Sequence, residues 1–221
     1  MRLRITFAKT EPMRYTSHLD LHRTWERAIR RAGLPLAYSQ GFNRHPRLQL
    51  AMALPLGFTS NCELLDAWFE TGLDLPPVRA ALERAAPPGL QVLAVERVDL
   101  LAPPLQTQVR SAGYIAALLD PVSDLDSRLD ALLEVNKLSR ERRGKAYDLR
   151  PLIEVLSMIA PDEAGNAQLY MQLAAREGQT GRPEEVLLAL DIPPESARVH
   201  RTQLILAESL DQDLLPARTQ E

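Results

Sequence analysis

Hydrophobic periodicity changes in a fixed order through the first hundred residues, and that order narrows the possible folds more than any other feature. Residues 2–9 alternate polar and apolar (Arg2, Leu3, Arg4, Ile5, Thr6, Phe7), the two-residue period of a half-buried strand. Ser17, with Asp20 three positions on, opens a helix over about 18–32, since its hydroxyl can accept from a free amide while the carboxylate faces the helix dipole. Gly33 closes it. The apolar stripe is Leu21, Trp25, Ala28, Ile29 and Ala32, which leaves Arg23, Arg27, Arg30 and Arg31 on other faces. "RLQLAMALPLGF" and "CELLDAWFE" then read as a hairpin bent at Pro55, Gly57 and Ser60, "VRAALERAA" as a short helix between prolines, and "LQVLAVERV" as a strand. The order β-α-β-β-α-β is the ferredoxin-like arrangement.

The order recurs. "QVRSAGYIAALL" reads as a strand, "VSDLDSRLDALLEV" as a helix, "YDLRPLIEVLSMI" and "QLYMQLAAREG" as paired strands, "PEEVLLAL" as a helix and "ARVHRTQLILAES" as a last strand. The expectation is an α+β chain of two tandem ferredoxin-like (βαββαβ) domains, residues 1–102 and 103–207, joined near "LLAPPLQT". The tail 208–221 has little to bury and is expected to be loose.

Charge is unevenly shared between these parts. Residues 1–60 hold ten Lys or Arg against three Asp or Glu, a balance of +7, and the remainder stands at −10, giving the total of −3. Such a split points to an anionic partner for the first part, nucleic acid being the commonest, with a solvated basic face as the plain alternative. Cys62 is the only cysteine, so the chain by itself builds neither an internal disulfide nor a thiolate zinc site nor an iron–sulfur cluster. "MRLRITFAKT" has no apolar signal core and no run approaches the roughly 20 apolar residues that span a bilayer, so a cytoplasmic protein without membrane contact is expected.

The stretch "YSQGFNRHPR", residues 38–47, holds the densest chemistry. Gly41, Asn43 and Pro46 specify a tight turn. Tyr38 and Phe42 suit core plugs beside strands; equally, an aromatic or His ring offers a stacking face to a base while Arg44 and Arg47 offer forks to phosphate, with His45 between them. Arg14, Tyr15, Ser17 and His18 stand at the helix start, where capping by Ser17 and Asp20 competes with an anion site. The expected nucleic-acid face comprises those four residues with Arg23, Arg27, Arg30, Tyr38, Phe42, Asn43, Arg44, His45 and Arg47. His18 and His22 share a helix face, but "HLDLH" lacks the Glu after the first His that a zinc protease needs, and no metal or other cofactor is expected. His18 with His45 remains a candidate imidazole pair for metal-independent RNA cleavage. A secondary basic patch, Arg140, Arg142, Arg143, Lys145 and Arg150, fits a solvated hairpin tip or a continued phosphate track. Walker, dinucleotide and nucleophile-elbow patterns are absent from the sequence, which favours binding over catalysis.

"RYTSHLDLHRTWERAIRRAGLPLAYSQGFNRHPRLQLAMALPLGFTS" (14–60), "DLRPLIEVL" (148–156) and "GRPEEVLLAL" (181–190) together resemble the radical-SAM-linked family of uncharacterised bacterial proteins. The resemblance covers nearly the whole chain and implies a radical SAM protein as partner, with members either fused to it or encoded beside it. It supplies no catalytic residues. The family's loop usually carries Pro and Lys where this chain has Arg44 and Arg47; the first change loosens the turn and the second keeps the charge with a different geometry. Tandem ferredoxin-like domains with a basic face are also similar in architecture to the RNA-processing endonucleases of CRISPR systems. The leading expectation is a non-catalytic accessory protein that binds tRNA or rRNA and presents it to the radical SAM partner. The rivals are an endoribonuclease using His18 and His45, and a module that only docks that partner.

Overall fold

β1 (Arg2–Lys9) pairs antiparallel on both sides and organises the first of two units, Met1–Gln108 and Val109–Glu221, in a computed structural model that describes residues 1–142, 144–176 and 178–207. The first unit continues with α1 (His18–Arg31), β2 (Leu48–Leu50), β3 (Thr59–Trp68), α2 (Leu75–Ala85), β4 (Leu90–Val98) and the single turn α3 (Leu105–Gln108). Its strands lie in the order β4-β1-β3-β2, every pair antiparallel. Alternation along β1 sends Leu3, Ile5 and Phe7 to one face, where they meet Trp25 and Ile29 of α1 and Val78 and Leu82 of α2. Phe7 and Trp25 meet edge to face with centroids 4.9 Å apart. In α1 the expected stripe is buried at Leu21, Trp25, Ala28 and Ile29, with Ala32 partly covered at the C-cap.

The opposite face of β1 departs from the half-buried expectation. Arg2 and Arg4 are both buried, and both bond the carboxylate of Asp66, Arg2 at 2.6 Å and Arg4 at 2.9 Å. Arg2 also donates to the carbonyls of Ala102 and Pro103, and Gln108 accepts from Arg4. Residues 102–108 therefore belong with the first unit, and the boundary falls after Gln108 rather than after 102. The expected strand over 47–58 shrinks to β2, because Pro55 and the positive φ of Gly57 turn the chain away from β3.

The second unit contains β5 (Val109–Leu118), α4 (Leu125–Glu134), β6 (Ser139–Arg142), β7 (Lys145–Asp148), β8 (Ile153–Ile159), β9 (Gln168–Arg176), β10 (Gln179–Thr180), α5 (Pro183–Ala189) and β11 (Ala197–Leu206). Its strands run β11-β5-β9-β8, again all antiparallel, with β10 beside the end of β9. "YDLRPLIEVLSMI" is not one strand. Pro151 sits in a turn over Arg150–Leu152, and the Asp148 carboxylate accepts from the amides of Leu138 and Arg150, which closes β6 and β7 into a separate two-stranded hairpin. The chain is α+β, with few helices and extensive sheet. The tail expectation for 208–221 lies outside the described residues, among which no helix is long and apolar enough to cross a membrane.

Candidate nucleic-acid interface

The loop at 38–47 is held at its base and open at its tip. Ala37 donates to Trp68 O, Trp68 to Arg47 O and Arg47 to Ala37 O, and Tyr38 bridges Pro46. One step further out Ser39 donates its amide to His45 O at 2.8 Å, and its hydroxyl accepts from the His45 amide at 3.0 Å. Gly41 takes φ +122°, a region that side chains disfavour. Tyr38 is half-buried against the core, as a plug would be. Phe42 is the reverse: its ring is wholly exposed at 105% of the reference area, so the core-plug alternative does not hold for it. Asn43, Arg44, His45 and Arg47 are exposed as well. Arg47 lays its guanidinium 5.0 Å from the Trp68 ring centroid.

The α1 start is built differently. Ser17 caps the helix, its hydroxyl accepting from the Asp20 amide at 3.2 Å and donating to the Asp20 carboxylate at 2.7 Å. Arg14 is largely buried, with Nε donating to Gly57 O at 2.7 Å while its own carbonyl accepts from Lys9 Nζ and the Gly57 amide. It is a structural clasp between the chain before α1 and the bend at 55–58. Tyr15 is exposed beside it and His18 is half-buried at the first helical turn.

These two groups do not converge. The α1 start is anchored at Lys9, which pairs with Ser60, whereas the loop is anchored at Trp68, which pairs with Arg2. Between them lies the length of β1, roughly 23 Å for an eight-residue strand. His18 and His45 are thus not an acid–base pair, because proton transfer needs hydrogen-bond reach. The topology sets this: α1 runs back along β1, so its C-terminal turn, carrying Arg30 and Arg31, leads through Leu36 toward Phe69 at the loop's end of the sheet.

The basic character of the first sixty residues is likewise redistributed. Arg2, Arg4 and Lys9 are buried, which removes them from any exposed face. Arg23 and Arg30 make side-chain pairs with Asp20 at 3.5 Å and Glu26 at 3.8 Å, exposed contacts of small energetic value. Arg27 and Arg44 have no ion pair among the described residues. Arg27 and Arg31 flank a groove of about 240 Å³ with Met13, Thr24 and Pro88. Arg31, absent from the expected set, is fixed there by a bond to Ala85 O at 3.2 Å.

In the second unit Arg142 and Lys145 are exposed and directly opposite one another on the β6–β7 hairpin, and Arg140 faces Tyr147 one pair further in. Arg150 leaves the patch: it is half-buried and donates to the carbonyls of Leu133 and Ile153. Arg143 lies outside the described residues. Sequence reasoning missed Trp68 and Arg182. The first reads as an ordinary strand aromatic until Arg47 is seen over it, and the second is brought to the hairpin only by the turn before α5.

A family model described as "Uncharacterized protein conserved in bacteria (DUF2344)" matches residues 2–183. No curated protein matches the chain. Among solved structures, a chain of a Cbf5–Nop10–Gar1 complex is similar at 11% identity and TM-score 0.48, over 91% of this chain and 48% of that one, so this chain spans about half its length. A chain provisionally described as a glycine cleavage system transcriptional repressor is similar at 11% identity and TM-score 0.23, over 93% of this chain and 97% of that one.

Proposed function

The chain belongs to the uncharacterised bacterial family DUF2344, and from that premise we propose that it is a non-catalytic RNA-binding accessory protein whose first unit contacts tRNA or rRNA through the loop at 41–47. The observation that carries this reading is the wholly exposed Phe42 ring beside exposed Arg44, His45 and Arg47. An apolar ring left in water forgoes about 1.5–3 kcal/mol of burial, and stacking a base on it recovers about 1–3 kcal/mol. Arg44, with no carboxylate partner among the described residues, has its planar fork available for a phosphate. Arg30 and Arg31 at the near end of α1 extend the positive field; Arg14 and Ser17 serve the fold at the far end. Each unit's strand order, with its helices in the β-α-β-β-α-β sequence, supports a ferredoxin-like domain. The partner that receives the RNA is, on the family resemblance, a radical SAM enzyme.

Filter binding with tRNA and rRNA fragments tests the reading. Phe42→Ala and the Arg44→Ala/Arg47→Ala pair should each weaken binding by about tenfold or more with the fold intact. Co-purification of a radical SAM protein, lost in Phe42→Ala and unaffected by nuclease while RNA binding stays undetectable, would make the loop a protein-docking surface instead.

A further inference from the structure

The second unit holds a cationic cavity that the loop of the first unit does not involve. It measures about 640 Å³ and lies between the β6–β7 hairpin and the segment 178–182, which holds β10. Arg142 and Lys145 line it from directly opposed positions on the two strands, and Arg182 lines it from the other side. Like charges directly opposite on a hairpin destabilise it, and a two-stranded hairpin has little stability to spare. Among the described residues of the lining the one carboxylate is Asp148, whose Oδ1 is occupied by the amides of Leu138 and Arg150. Nearby, Arg140 approaches Glu185 at 4.0 Å, so that carboxylate has a cation of its own. The described residues of the lining thus carry three cations against one carboxylate, and a multiply charged anion would offset that excess.

The rest of the wall selects among anions. Tyr147 stands on the same hairpin face as Arg140, Arg142 and Lys145, because residues two apart on a strand, and their directly opposed partners, share a face. Burial, with Glu185 adding to it, holds its phenol above the ordinary value, while Arg140, Arg142 and Arg182 pull the other way, which puts all three guanidinium groups within electrostatic reach of the ring. Pro151 and Leu152 add apolar surface, and Gln179 and Thr180 add polar groups, the Thr180 hydroxyl donating to Arg176 O and keeping its acceptor capacity. A Cβ at Gly181 would stand 3.0 Å from Leu152 O, so glycine lets this segment lie close against Leu152 in the cavity wall. The volume falls in the range of small-molecule sites and exceeds what a bare phosphate fills.

We propose that this cavity binds a phosphorylated nucleotide, its phosphate between Arg142, Lys145 and Arg182 and its base or ribose against Tyr147, Pro151 and Leu152. The nucleotide can be free or the 5′-terminal residue of an RNA. This site is independent of the first unit's loop, and the test keeps the two apart. Calorimetric titration of the full chain uses the four nucleoside 5′-monophosphates, the matching nucleosides, inorganic phosphate and a 5′-phosphorylated dinucleotide. Saturable binding of a monophosphate is expected, at least about tenfold tighter than its nucleoside or inorganic phosphate. Arg142→Ala/Arg182→Ala should weaken it by about tenfold or more, Arg182→Lys should retain part of the affinity that Arg182→Ala loses, and Arg44→Ala/Arg47→Ala should leave it unchanged. A tighter dinucleotide supports the RNA terminus as ligand and a tighter mononucleotide supports the free form. Absence of binding at millimolar monophosphate, equal affinity for inorganic phosphate, or binding unchanged in a folded Arg142→Ala/Arg182→Ala protein overturns the proposal.

Discussion

Arg47 and Trp68 are neighbours across the β2 side of β3, joined by the Trp68 amide to Arg47 O bond and by the guanidinium 5.0 Å from the indole centroid. Arg2, opposite Trp68 on β1, approaches the same ring at 4.9 Å, so the indole is held between a buried cation on one neighbouring strand and an exposed one on the other. Only the exposed cation is free to exchange its ring for a phosphate. RNA binding should therefore shift Trp68 emission, and Trp68→Phe should abolish the shift, leaving the signal of the buried Trp25. An emission change of equal size in Trp68→Phe would place the contact elsewhere.

The Arg2–Asp66–Arg4 cluster should be a large stability element. Asp66→Asn leaves two buried guanidinium groups without their counter-charge and is expected to cost about 3–5 kcal/mol in urea unfolding. A loss below about 1 kcal/mol would mean that water reaches the cluster.

Ser17 is a cap in this account and not a phosphate ligand. Ser17→Ala should lower stability by about 1 kcal/mol while RNA affinity stays within about twofold of the wild-type value.

Glu154 links the second unit to pH. Burial raises its carboxyl, but hydrogen bonds from Gln172, Ser111 and Arg176, with the Arg176 charge, outweigh that and hold it below its ordinary 4.5. A depressed folded value means that its stabilisation is full above the unfolded value and is lost as pH falls through the folded one. Melting curves should thus show wild type more stable than Glu154→Gln at pH 7, with the gap closing in acid.

What the sequence discloses is what neighbours along the chain decide. The α1 stripe, its Ser17 cap and the turn at Gly41 follow from residues a few positions apart, and all stand in the structure. Arg2 and Arg4 read as the polar face of a half-buried strand because the carboxylate that neutralises them lies 64 and 62 residues on. The same holds for the site. Loop and helix start are close in sequence, yet strand pairing sends them to opposite ends of β1, which separates His18 from His45. Arg182 joins Arg142 and Lys145 only because Pro151 breaks a run that alternates like one strand.

The salt dependence of RNA affinity counts the phosphates that the loop at 41–47 contacts, because each phosphate contact contributes roughly 0.7–0.9 to the slope of log affinity against log salt. Between about 50 and 200 mM salt the slope should be shallower by about 1–2 in Arg44→Ala/Arg47→Ala than in wild type. An unchanged slope with unchanged affinity would contradict it.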